Sequence, residues 1–166
     1  IFINFFYGLS FSGLGLAAYL QLHRGGDFAL RKLLPWLAAF GVFTGASGWV
    51  EMFLVSETDL ATIQVLHALQ MVLQPVSGLL LLIFGWGMFA RLQPLPSWSI
   101  FIPGILIVPL AYVITYALST FVTPSPIEIP IDIWSRYLLY LPGSLLAGMG
   151  FLRQRRLQRQ LGYVDV

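Results

Sequence analysis

Polar residues interrupt this chain only at intervals, and the apolar runs between them are long. Residues 1–22 carry no charge at all, and His23-Arg24-Gly25-Gly26-Asp27 closes that run as a polar turn. A second run, 33–55, has Glu51 as its single charge, and Ser56-Glu57-Thr58-Asp59 follows it. Ser and Asp there are helix N-cap residues in type. The third run, 60–90, contains Pro75, which removes a backbone hydrogen bond and predicts a kink near Met71. After a proline-bearing loop come a fourth run, 98–121, interrupted by Pro103 and Pro109, and a fifth, 131–152. About 20 apolar residues span the roughly 30 Å hydrocarbon layer as a helix. The pattern therefore predicts an all-α, polytopic transmembrane bundle of about five helices over 1–152, followed by a basic tail, 153–166. A membrane β-barrel would show alternating segments of roughly ten residues, and these runs are continuously apolar.

Composition agrees. The 166 residues are 58% hydrophobic and 10% charged, with a mean hydropathy of +0.82, against roughly 25% charged residues in a soluble domain. The net charge of +2 is too small to imply nucleic acid, and the absence of cysteine excludes disulfides, thiolate metal sites and thiol nucleophiles. Lys and Arg fall in the first and third connections (Arg24, Arg31, Lys32, Arg91) and in the tail (Arg153, Arg155, Arg156, Arg159). The second and fourth connections hold only acidic charges. By the positive-inside rule this places the amino end outside and the carboxyl end in the cytoplasm. Trp36 and Trp98 then fall at the inner border, and Trp49 and Trp134 at the outer one. The chain opens at Ile1 inside an apolar run with neither an initiator Met nor a signal-peptide pattern, so a longer parent polypeptide is expected.

Ionisable residues within a membrane are costly and invite functional readings. Glu51 and Arg136 lie about one turn from the outer ends of the second and fifth runs, and an ion pair between them would compensate both. The bland reading is a structural clamp or snorkelling to headgroups; the sharper one is a ligand or proton site whose occupancy breaks the pair. On the third run Gln64, His67, Gln70, Gln74 and Ser77 share an arc of roughly 140°. That arc reads as interhelical hydrogen bonding or as a polar pocket formed by Gln64, His67, Gln70 and Gln74. His67 is the only intramembrane histidine, so neither haem, a metal nor any other cofactor is expected. No G-x-S-x-G, H-E-x-x-H or phosphate loop occurs, so no enzyme activity is expected. Gly8-Ser12-Gly15, Gly41-Gly45 and Ser144-Gly148 are spaced as close-packing helix seams, with homodimerisation as a secondary use. The four arginines of the tail suit a lipid surface, or a lever into a cytoplasmic partner.

Three stretches carry a resemblance: Phe5-Phe6-Tyr7-Gly8-Leu9-Ser10-Phe11; Leu34-Pro35-Trp36-Leu37-Ala38-Ala39-Phe40-Gly41 continuing to Gly48-Trp49-Val50-Glu51-Met52-Phe53; and Arg136-Tyr137-Leu138-Leu139-Tyr140-Leu141-Pro142-Gly143-Ser144. They resemble the amino-terminal membrane input region of bacterial sensor histidine kinases and related signalling proteins. Glu51 and Arg136 match that pattern. Thr44 and Ser47 depart from it, standing where such sensors often carry histidines. The resemblance implies a non-catalytic sensory module in a bacterial inner membrane, of the two-component type, contacting further helices of a longer chain. The competing reading is a structural accessory subunit of a larger respiratory or photosynthetic membrane complex. A transporter is disfavoured by the lack of an inverted repeat.

Overall fold

A computed structural model of the chain describes residues 2–23, 31–90 and 136–160, with side chains as far as residue 156. Every element among them is helical: α1 (Phe2–His23), α2 (Leu34–Ser56), α3 (Leu60–Ala90), a π-helical turn (Arg136–Tyr140) and α4 (Leu141–Gln160). The helices α1, α2 and α3 are each long and apolar enough to cross a membrane. The fourth apolar run and the start of the fifth lie outside the described residues, so the bundle is described with three such spans where the sequence predicts about five.

Local chemistry explains where the helices begin and end. Pro35 at the head of α2 fits a first turn whose N–H groups have no helical partner. At its far end the Ser56 hydroxyl donates back to the carbonyls of Met52 and Phe53, and Glu57 turns extended. The Glu57 carboxylate then accepts the N–H groups of Thr58 and Asp59 at 2.9 and 3.1 Å. Asp59 caps α3, its Oδ2 accepting from the Thr62 N–H at 3.0 Å and the Thr62 hydroxyl at 2.7 Å. Only three residues thus separate α2 from α3, which forces the two into an antiparallel hairpin.

α3 runs unbroken through Pro75. Its 31 residues measure about 46 Å at 1.5 Å per residue, longer than the hydrocarbon layer is thick. The wide turn ahead of α4 has a similar local origin. Pro142 has no N–H to give the Leu138 carbonyl and its ring crowds that oxygen, so a regular α-turn is disfavoured there.

In space α1 packs on α2, α2 on α3, and α3 on α4. Glycines set the first and last of these contacts. A Cβ on Gly41 would lie 2.6 Å from the backbone N of Gly15 and from the Phe11 carbonyl oxygen, so the α1 and α2 backbones touch. This is the Gly8-Ser12-Gly15 and Gly41-Gly45 seam. Between α3 and α4 the seam is made by Gly78, Gly85, Gly143 and Ala147. Ser144 and Gly148, read from sequence as a close-packing face, are exposed. Leu33, Phe84, Met88 and Ala147 close one end of the bundle as an apolar core, with Trp36 and Leu37 against it. The exterior is apolar too: Phe2, Ile3 and Phe6 of α1 are 61–84% exposed. Large hydrophobic residues facing outward along a whole helix are what lipid demands and water penalises.

Candidate functional site

The opposite end of the bundle is polar. A cavity of about 410 Å³ opens there, lined by Ile3, Asn4 and Tyr7 from α1, Thr44, Ser47 and Glu51 from α2, Gln74 from α3, and Arg136 and Tyr140 from the π-helical turn. Each helix contributes residues a whole number of turns apart. Asn4 and Tyr7 are three apart, as are Thr44 and Ser47, with Glu51 four further on, so each set shares one face. The glycines beside them, Gly8, Gly45 and Gly48, bring the two backbones close and so deliver those side chains to a common space.

Two hydrogen-bonded groups organise the walls. In the first, the Gln70 amide Nε2 donates to Glu51 Oε1 at 3.0 Å and lies 3.5 Å from Gln74 Oε1. This ties the carboxylate of α2 to the polar face of α3. In the second, the hydroxyls of Ser77 and Tyr140 hydrogen-bond to each other, and both reach the Gln74 carbonyl, at 2.9 and 3.2 Å. Two protons serve three contacts in that triangle, so one hydroxyl donates to the other, which in turn donates to the carbonyl. The Tyr140 ring also lies against Gly78 and forms an edge contact with Phe40 at 6.2 Å. The π-helical turn is thereby bolted to α3 at a buried point: Ser77 is fully buried and Gln74 nearly so.

Glu51 and Arg136 both lie within electrostatic range of the Tyr7 hydroxyl. Glu51 is half-buried in the wall, while Arg136 stands exposed at the rim. Thr44 is 2% exposed, and its hydroxyl faces Tyr140 without a hydrogen bond of good geometry. Among the described residues Thr44 Oγ1, Trp49 Nε1 and Gln70 Oε1 are buried and have no hydrogen-bond partner. Buried polar atoms in that state are uncommon and call for an explanation. Trp49, placed by sequence in the outer aromatic belt, is laid against Gly8 within the α1–α2 contact.

Of the polar face read along the third run, only Gln74 lines the cavity. Gln70 stands behind it as a support for Glu51, His67 is half-buried away from the cavity, and Gln64 is exposed near the start of α3. Asn4 was not singled out by sequence, Tyr7 and Tyr140 stood only within the resembling stretches, and Thr44 and Ser47 were named there only as departures. Neutral hydroxyl and amide residues inside apolar runs give little signal of their own; the three- and four-residue spacing of Thr44, Ser47 and Glu51 was the available clue. Among the described residues no group of three His, Asp or Glu side chains is placed to hold a metal ion. In the tail, Arg153, Arg155 and Arg156 are exposed on α4, which passes residue 152 without a break; the side chain of Arg159 lies outside the described part. Opposite charges and hydroxyls surround a cavity whose wall is anchored to the root of α4. No family model, no curated protein and no solved structure matches the chain.

Proposed function

We propose that this chain is a non-catalytic sensory module of a bacterial inner-membrane signalling protein, with its input at the polar cavity and its output along α4 into the basic tail. The observation that carries the reading is the triangle of Ser77, Tyr140 and the Gln74 carbonyl. Tyr140 and Arg136 line the cavity and also form the turn from which α4 departs, so a change in what the cavity holds acts on the base of that helix. Wide helical turns recur at functional sites. Thr44 and Ser47, where the resembling sensors carry histidines, line the same cavity, which gives those positions a common use.

Spin labels at Lys32 and Arg155, measured in lipid nanodiscs, test the relay. Tyr140→Phe removes the hydroxyl that ties the turn to α3 and should shift the interlabel distance by about 2 Å or more, the scale of helix shifts in switching proteins. A pair at Leu20 and Val42, across the α1–α2 seam, should stay put. An unchanged Lys32–Arg155 distance would refute the relay and leave the accessory-subunit reading in possession. Cysteine labelling that put positions 31 and 155 on opposite faces of the membrane would overturn the orientation.

A further inference from the structure

Cations from two distant parts of the sequence meet at the apolar end of the bundle. Leu33, next to Arg31 and Lys32, sits in the core formed with Phe84, Met88 and Ala147, and a Cβ on Gly87 would lie 2.5 Å from its Cδ2. α4 crosses the same point of α3: a Cβ on Gly150 would lie 2.7 Å from Met88 Cβ. Arg153 follows three residues later, about 4.5 Å along the axis. Arg31, Lys32, Arg153, Arg155 and Arg156 are all exposed.

α4 changes character on one face as it leaves this core. At about 100° per residue, Arg153, Arg155 and Arg156 share an arc of roughly 160°. Leu141, Leu145, Met149 and Leu152, 48–63% exposed, lie within the same arc on the preceding turns. An outward apolar stripe that turns basic at one level marks the passage from hydrocarbon to headgroups. The positive charge at that level survives a full count. Glu57 and Asp59 stand at the α2–α3 turn and Glu51 in the cavity wall, all toward the other end. Of the charges outside the described side chains, Arg24, Arg91 and Arg159 nearly balance Asp27, Glu128, Asp132 and Asp165. All seven gathered here would take only one from the five. Crowded cations repel, and a counter-charge that reaches both chain segments must be extended. A leaflet of phosphate headgroups is extended, and it lies where the stripe ends.

We propose that Arg31 and Lys32, together with Arg153, Arg155 and Arg156, form one surface that binds anionic phospholipid headgroups and holds the root of the tail at the leaflet from which it emerges. The assignment is independent of what the cavity holds and of the relay along α4.

Phosphatidylglycerol and phosphatidylcholine carrying a fluorophore on the acyl chain, titrated against the full chain in mixed micelles, test it by anisotropy. Phosphatidylglycerol should bind about tenfold or more tighter, since each cation near an anionic surface contributes about fivefold. Raising salt from about 0.1 to 1 M shortens the screening length from about 10 to 3 Å and should bring the two lipids level. Equal binding at low salt, or a preference that survives high salt, overturns the proposal. Arg31→Gln with Lys32→Gln should reduce the preference several-fold, and so should Arg153→Gln with Arg155→Gln and Arg156→Gln. Arginine-to-lysine changes at the same three α4 positions keep the charge and should keep the preference. If either neutralised set binds as wild type does, the two segments do not share a surface and the proposal fails. Circular dichroism checks that the variants are folded; should one set not fold, the wild-type salt series still decides. A short single-stranded RNA that bound the chain in phosphatidylcholine nanodiscs, and was not displaced by phosphatidylglycerol, would give the surface to nucleic acid instead.

Discussion

A single methyl group placed at Gly41 should prise α1 from α2. The added Cβ would stand 2.6 Å from Gly15 N, 2.6 Å from the Phe11 carbonyl oxygen and 2.7 Å from Gly15 Cα. All three are backbone atoms, so no rotamer change relieves the overlap. Ordinary contact begins at 3.4 Å, so the helices must separate by about 0.8 Å, the difference between 3.4 and 2.6. Overpacking of this kind costs about 1–3 kcal/mol, and a rigid obstacle belongs at the upper end. The control is Gly13→Ala on the same seam-forming helix, where a Cβ meets nothing among the described residues within 4 Å. Alanine is also the better helix former by about 1 kcal/mol, but that gain is common to both substitutions and cancels from their difference. Reversible unfolding in mixed micelles should place Gly41→Ala about 2–3 kcal/mol below Gly13→Ala. Gly87→Ala should fall between them, because its Cβ meets the end of the flexible Leu33 side chain at 2.5 Å. A gap under about 0.5 kcal/mol between Gly41→Ala and Gly13→Ala would refute a backbone contact at the seam, since that is the ordinary scatter of substitutions touching nothing.

Other consequences are quicker to check. The Thr62 hydroxyl, and then its N–H, hold the Asp59 carboxyl below the ordinary carboxylate range. A lowered folded value means that the cap contributes stability above the unfolded value, near 3.9, and loses it as pH falls through the folded one. Asp59→Ala should therefore lower the melting temperature at neutral pH, with the gap from wild type narrowing in acid; a gap independent of pH would contradict the charged cap. Ser77→Ala removes one corner of the triangle and leaves Tyr140 the sole hydroxyl on the Gln74 carbonyl. Hydrogen exchange at the π-helical turn should quicken several-fold while α1 is unaffected, and uniform exchange across both would count against the anchor. Glu51→Gln and Arg136→Gln should each lower stability in detergent. If the two residues act on one another, the double variant loses less than the sum of the singles, and strict additivity would separate them.

The three spans could be read from the chain to within about two residues, because each apolar run is uninterrupted and ends on chemistry with a fixed local meaning. Asp59, three residues before Thr62, has the spacing of an N-cap, and Pro35 fits a first turn without loss of a helical hydrogen bond. Charge marked out Glu51 and Arg136 for the same reason: in an apolar run an ionised group is costly and needs compensation. What was hidden depended on how faces meet. The stripe from Gln64 to Ser77 was drawn on one helix as though a neighbour ran beside all of it. Yet α3 is longer than a bilayer is thick, and its first turns, with Gln64, stand exposed. The small-residue face read at Ser144 and Gly148 lies one position from the residues that meet α3. A π-helical turn holds one residue more than the α-turn it replaces, and one residue is about 100° of rotation. On α4 it is Gly143 and Ala147 that meet α3, one position from the exposed Ser144 and Gly148, and Tyr140 of the turn meets Ser77. Pro142 announces a local disturbance but not its sense, since a proline near a helix start fits a regular first turn equally well. The wide turn just ahead of Pro142 supplies Arg136 and Tyr140 to the cavity wall. Because Arg136 and Tyr140 belong both to the cavity wall and to the turn from which α4 departs, the proposed relay along α4 needs no further element between them.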